Sequence, residues 1–127
     1  MPHLIIEYTD NLKEEANIPL LLKSVNESLL SHLSIIPIGG LRSRAVELKD
    51  YLVADGSEDD AFVHVILKLG GGRTEEDKKK VCDDLFDTIK DHFKEIYETR
   101  YFALSMELLE FTNPTYKLNN IHKRYKK

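Results

Sequence analysis

The second residue of the chain is proline, and what it can do depends on the methionine before it. Methionine aminopeptidases remove Met ahead of small residues, so the expected mature chain begins at Pro2 with a free secondary amine. The run that follows is rich in β-formers, so a core strand would hold that nitrogen in place. An α-amino group ordinarily titrates at about 7.7–8.0. A secondary amine is more basic, and burial or nearby cations lower it toward neutrality. A free amine titrating near neutral pH is a suitable general base. Many chains begin Met-Pro with no such purpose, so Pro2 gains meaning only from its company.

That company includes arginines. In Gly39-Gly40-Leu41-Arg42-Ser43-Arg44 the two arginines stand two apart. On a strand such residues share a face, so Arg42 and Arg44 point the same way, on the parity of Val46 and Leu48. Guanidinium groups grip carboxylates through paired N–H donors; ordinary ion pairing on the surface of an acidic protein is the plainer alternative. Arg73 follows Gly70-Gly71-Gly72, where a strand gives way to a helix N-terminus and backbone N–H groups favour anions. The segment lacks the lysine and the spacing of the phosphate-binding GxxxxGK[ST] loop. A carboxylate therefore suits it better than a nucleotide, with a solvated turn as the alternative.

Other chemistries find little support. His3, His32, His64, His92 and His122 show neither HxxxH nor HExxH spacing, and there is no cysteine cluster, so no metal site is expected. No G-x-S-x-G motif is present. Cys82, the single cysteine, falls in an apolar helical stripe and reads as a packing residue. Alone it forms no intramolecular disulfide, which fits a reducing compartment.

These residues need elements to position them. His3 to Tyr8 reads as a strand. A helix follows from about Asn17 to Leu33, capped by Asn17, with Pro19 in its first turn and Leu22, Val25, Leu29 and Leu33 as its buried stripe. A strand runs from about Leu41 to Leu48, and Tyr51–Ala54 reads as another short one. Ala61 to Leu69 is the clearest strand. Thr74 opens the longest helix, with Asp77 completing a short form of the capping box. Its apolar face carries Val81, Leu85, Phe86, Ile89, Phe93, Ile96 and Tyr97. Tyr101 to Glu110 is the last strand, and an irregular segment begins at Asn113-Pro114. The order is strand–helix–strand twice over, with right-handed crossovers expected.

At 127 residues the chain has room for one domain. Its formal net charge of −4 argues against a general nucleic-acid binder, and the basic tail Lys123–Lys127 reads as a solvated end. No apolar run approaches the ~20 residues of a membrane span. No signal-peptide pattern opens the chain, so a cytoplasmic location is expected. Leu4, Ile5 and Ile6 are apolar on both faces of their strand, as are Phe62, Val63, Val65, Ile66 and Leu67. Such strands call for burial on both sides. The helices cover only one, so oligomerisation through the other face is expected; coverage by the C-terminal segment is the alternative.

Taken together, these features resemble a known family. Met1-Pro2-His3-Leu4-Ile5-Ile6-Glu7-Tyr8-Thr9-Asp10-Asn11 is similar to the opening of 5-carboxymethyl-2-hydroxymuconate Δ-isomerases, in the tautomerase superfamily. The likeness continues through Gly40–Arg44, Ala54-Asp55-Gly56, Ala61–His64, Leu67-Lys68, Gly72-Arg73, Ala103-Leu104-Ser105 and Asn119–His122, so it spans the chain in order. The resemblance implies an α+β fold: a duplicated βαβ, a four-stranded mixed sheet with two long helices on one face, and a homotrimer. One domain would span 1–127, with halves at about 2–50 and 61–110 and a C-terminal segment beyond.

The resemblance further implies a cofactor-free isomerase acting in homoprotocatechuate catabolism. It would convert 5-carboxymethyl-2-hydroxymuconate to 5-oxopent-3-ene-1,2,5-tricarboxylate, with Pro2 as the proton-transfer group and Arg42, Arg73 and also Arg44 binding substrate. The partners implied are the polycarboxylate substrate and further copies of the chain, with no nucleic acid or membrane. Another tautomerase-superfamily enzyme acting on an unsaturated or enolic acid, or a non-catalytic trimeric interaction protein, are the alternatives.

Overall fold

The computed structural model describes residues 1–126; Lys127, the last residue of the basic tail, lies outside the described residues. Four strands, β1 (His3–Thr9), β2 (Arg42–Leu48), β3 (Ala61–Leu69) and β4 (Phe102–Glu110), form one sheet in the order β2-β1-β3-β4. β1 pairs parallel with β2 and antiparallel with β3, while β3 pairs parallel with β4. The helices are α1 (Ile18–Leu30), α2 (Glu75–His92) and α3 (Lys94–Thr99).

The strict alternation of β3 decides the layering. Ala61, Val63, Val65, Leu67 and Leu69 are buried, while Phe62, His64, Ile66 and Lys68 are only half-buried. Leu4 and Ile6 join the buried set, packed with Leu21, Val25 and Leu29 of α1 and Val81, Leu85 and Ile89 of α2. The opposite face carries Ile5, Phe62 and Ile66, with Val46 and Leu109 exposed on it. Over its described residues the C-terminal segment does not cover that face. It meets one end, where Phe111 stands edge-on to the His3 ring at 6.3 Å. It then runs with Tyr116 and Leu118 fully exposed and closes in a 3-10 turn at Ile121–Tyr125.

That turn seats on a second 3-10 turn, Ile38–Gly40, and the fit demands glycine. A Cβ at Gly39 would stand 2.6 Å from His122 Nδ1 and 2.9 Å from His122 Cα, inside any real contact distance.

Local expectations divide. Thr74 caps α2 as its sequence context requires, its hydroxyl accepting from Asp77 N–H at 3.1 Å. Asn17 precedes α1 but makes no side-chain cap. It adopts a left-handed backbone (φ 42°), and its N–H donates to the Glu14 carbonyl, closing the turn before the helix. The α1 stripe is Leu21, Val25 and Leu29; Leu22 is half-buried, one position around the helix, and Leu33 lies past the helix end and is exposed. Tyr51–Ala54 is not a strand. Ala54 has φ 53°, Gly56 N–H turns back to the Val53 carbonyl, and the Tyr51 hydroxyl donates to Asp10. The long second helix breaks at Phe93 (φ −98°, ψ 11°), which buries that ring against Phe102 and leaves Tyr97 exposed. Cys82 packs half-buried on the core, and burial pushes its thiol pKa up, so the reactive thiolate is disfavoured.

Candidate active site

Pro2 is buried immediately before β1, and its carbonyl accepts from the Arg42 N–H at 3.1 Å. The β1–β2 ladder thus extends one residue past His3 and fixes Pro2 at the sheet's end. The register pairs His3 with Arg42 and Ile5 with Arg44, so both arginines rise from the face opposite the helices. Ser43, between them, reaches back to Asn26 of α1.

Met1 carries the terminal amine, half-buried among cations. Its pKa lies below the ordinary α-amine value. Burial is the main cause, followed by the charges of Lys117, Arg73 and Arg42. Arg42 Nη1 approaches the Met1 sulfur at 3.4 Å. Arg73 arrives from the glycine-rich turn and is tied down on both sides. Its Nε and Nη2 donate to the Ile35 carbonyl at 3.1 and 2.9 Å, and its Nη1 to the Gly70 carbonyl at 2.8 Å. A guanidinium has five N–H donors, so these bonds leave N–H groups uncommitted. The same clamp joins the turn before α2 to the loop after α1.

Arg44 sits slightly apart. It is exposed, and its Nη1 donates to His3 Nδ1 at 3.1 Å. A guanidinium cannot accept, so His3 is the acceptor at Nδ1 and carries its proton on Nε2. Burial first, then Arg44, Arg42, the amino terminus and Lys68, hold the His3 pKa below its usual value and keep the ring neutral. Met1, His3, Arg44, Lys68, Phe111 and Tyr116 line a recess of about 250 Å³ beside the terminus. A larger groove of about 440 Å³ lies between β4 and α2–α3, walled by Phe86, Phe93, Phe102 and Leu104. It holds none of the three arginines and lies away from Pro2, so it is not the candidate site.

The structure thus gathers Arg42 and Arg73 at the amino terminus and puts Arg44 across the adjoining recess. It also adds Lys117 and Asn119, which charge and spacing alone did not single out. Asn119 Nδ2 donates to the Gly39 carbonyl at 2.8 Å and approaches the Met1 sulfur at 3.2 Å. Asn119 falls in the stretch Asn119–His122 that carries part of the family resemblance, whereas Lys117 lies in an irregular, exposed segment with no periodicity to place it. Among the described residues, no group of three or more His, Cys, Asp or Glu side chains is placed to hold a metal ion. No helix among them is long and apolar enough to cross a membrane.

Comparison with known proteins points to one family. The family model for 5-carboxymethyl-2-hydroxymuconate isomerase matches residues 2–125. The chain belongs to that family. It is 42% identical over 128 residues to the 5-carboxymethyl-2-hydroxymuconate Delta-isomerase of Escherichia coli, covering 99% of this chain and 100% of the relative. The crystal structure of a 5-carboxymethyl-2-hydroxymuconate isomerase from Deinococcus radiodurans R1 superposes with a TM-score of 0.94 at 50% identity, covering 99% of this chain and 95% of that one. A fused 4-OT, a wild-type symmetric trimer, shares the fold at a TM-score of 0.65 and 16% identity, over 92% of this chain and 93% of that one. The expected tautomerase-type α+β fold, a four-stranded mixed sheet with helices, is therefore the observed one, and family membership makes the chain an isomerase.

Proposed function

We propose that the chain, with Met1 removed, isomerises 5-carboxymethyl-2-hydroxymuconate to 5-oxopent-3-ene-1,2,5-tricarboxylate in homoprotocatechuate breakdown in the cytoplasm. The observation that carries this reading is the gathering of Arg42, Arg73 and Lys117 around the amino terminus of a protein whose net charge is −4. A polyanionic substrate needs such a local cationic field. The same field lowers the basicity of the terminal nitrogen. Removing Met1 converts the Pro2 amide to an amine beside those cations, so a fraction is unprotonated near neutral pH and can act as base.

In the proposed mechanism Arg42 and Arg73 hold substrate carboxylates and favour negative charge developing on the 2-oxo side. Pro2 takes a proton from one end of the conjugated dienol. It returns the proton at carbon, so the enol becomes the keto product with no net gain or loss. Arg44, on the recess wall, would meet a further carboxylate. No cofactor takes part in this scheme.

The working unit is proposed to be a homotrimer of single-domain subunits, each with βαβ halves at about 2–50 and 61–110. The apolar face bearing Ile5, Phe62 and Ile66 supports this, since helices do not cover it. A spectrophotometric assay with the tricarboxylate dienol tests the reading. Arg42→Ala should lower kcat/KM by about a hundredfold with an unchanged circular dichroism spectrum. An unaltered rate would remove Arg42 from the mechanism. Faster turnover of a simple enol-pyruvate would move the substrate to another tautomerase reaction.

A further inference from the structure

The Met1 sulfur marks a position that two donors from distant parts of the chain share. Arg42 Nη1 lies 3.4 Å from it and Asn119 Nδ2 lies 3.2 Å from it. A thioether is a weak acceptor, so it does not account for this convergence.

The Asn119 amide is held on both sides. Its Oδ1 accepts from the Ile121 N–H at 2.8 Å, and its Nδ2 donates to the Gly39 carbonyl at 2.8 Å. The two bonds fix which end of the amide is which, because a backbone N–H only donates and a carbonyl only accepts. Nδ2 carries two protons. One is spent on Gly39, and the other is aimed at the place the Met1 sulfur fills. The residue cannot drift, because the turn that follows it presses on Gly39 within contact distance.

We propose that Asn119 touches the substrate. Once Met1 is gone, Asn119 Nδ2 and the Arg42 guanidinium donate jointly to one substrate oxygen, the one whose proton Pro2 takes. Donors on the oxygen that loses its proton stabilise the charge left there, and these two already converge beside the terminus. The C-terminal segment is then part of the active site, and a neutral donor supplements the arginines where charge develops. This inference rests on the reaction proposed above.

The test uses the full chain with intact mass showing Pro2 at the terminus. Wild type, Asn119→Ala and Asn119→Asp are compared on 5-carboxymethyl-2-hydroxymuconate, each on the plateau of its own pH profile. Asn119→Asp keeps the size and the acceptor for Ile121 N–H but loses both the donor and the bond to the Gly39 carbonyl, and it serves if the alanine variant fails to fold. Loss of one such donor is expected to lower kcat by ten- to a hundredfold, with KM changed less. A residue that merely anchors the segment would lower the thermal midpoint and raise KM while kcat held; that outcome, or wild-type kcat in either variant, overturns the proposal. A silent wild type with a confirmed Pro2 terminus would overturn the proposed reaction itself and this role with it. An active wild type with unaffected variants would overturn the Asn119 role alone.

Discussion

Replacing Gly39 with alanine tests whether the C-terminal segment shapes the site. Gly39 is not among the residues with positive φ, so alanine can adopt its backbone and the effect is steric. The added Cβ would stand 2.6 Å from His122 Nδ1, 2.9 Å from His122 Cα and 3.0 Å from His122 N. The ring could rotate away, but the two backbone atoms cannot. The turn Ile121–Tyr125 must therefore retreat by roughly half an ångström to reach ordinary contact, and overpacking of this kind costs about 1–3 kcal/mol. For a domain of this size that is a fall in thermal midpoint of about 4–12 °C. Asn119 bonds directly to the Gly39 carbonyl, so it moves with the turn. Since a 1 Å misplacement can cost about a hundredfold in rate, about tenfold in kcat/KM is expected here. Gly71→Ala is the control, because the nearest atom to its Cβ would be Glu110 Oε2 at 3.9 Å. Differential scanning calorimetry and the isomerase assay, run on both variants, read the two effects. A Gly39→Ala protein with wild-type midpoint and wild-type kcat/KM would refute the reasoning.

Three further outcomes follow from the same structure. Lys117→Met removes a cation that disfavours protonation of the terminal amine, so the amine pKa rises and the acidic limb of kcat/KM moves to higher pH. Because Lys117 is exposed, high salt should shrink the difference between variant and wild type; a limb that stays put contradicts the electrostatic account. Thr74→Ala deletes the α2 cap and should cost about 1 kcal/mol in urea unfolding with little effect on kcat. Ile66→Glu places a charge on the open sheet face and should dissociate the proposed trimer to monomers in analytical ultracentrifugation, whereas a variant that assembles like the wild type would show that assembly uses another surface.

Much of the fold was legible because periodicity carries it. β3 alternates without a break, and the face it hides is the face it shows on paper. Thr74 with Asp77 marked the start of α2 because a cap is a local device. The misreadings share a cause, which is tertiary override of a local signal. Tyr51 reads as strand, yet its hydroxyl is drawn to Asp10, and the chain turns at Ala54. Val81 to Tyr97 reads as one helix, yet burying Phe93 against Phe102 breaks it.

The site divides in the same way. Arg42 and Arg44 share a face because a strand has period two. Arg73 stands out in the sequence for its turn, but its bonds to Ile35 and Gly70 depend on two loops meeting in space. The two paired guanidinium donors expected to grip a ligand are partly committed to the fold instead. Lys117 and Asn119 lie in a segment without periodicity, so only its return to Gly39 reveals them.

The central claim is that a free Pro2 nitrogen is the base, and releasing that nitrogen tests it most directly. One preparation carries a removable leader joined to Pro2, and its activity on 5-carboxymethyl-2-hydroxymuconate is followed in the ultraviolet before and after cleavage, with intact mass confirming each form. The account predicts negligible turnover while the nitrogen is an amide and rapid turnover once it is an amine. Equal turnover in both forms would contradict it.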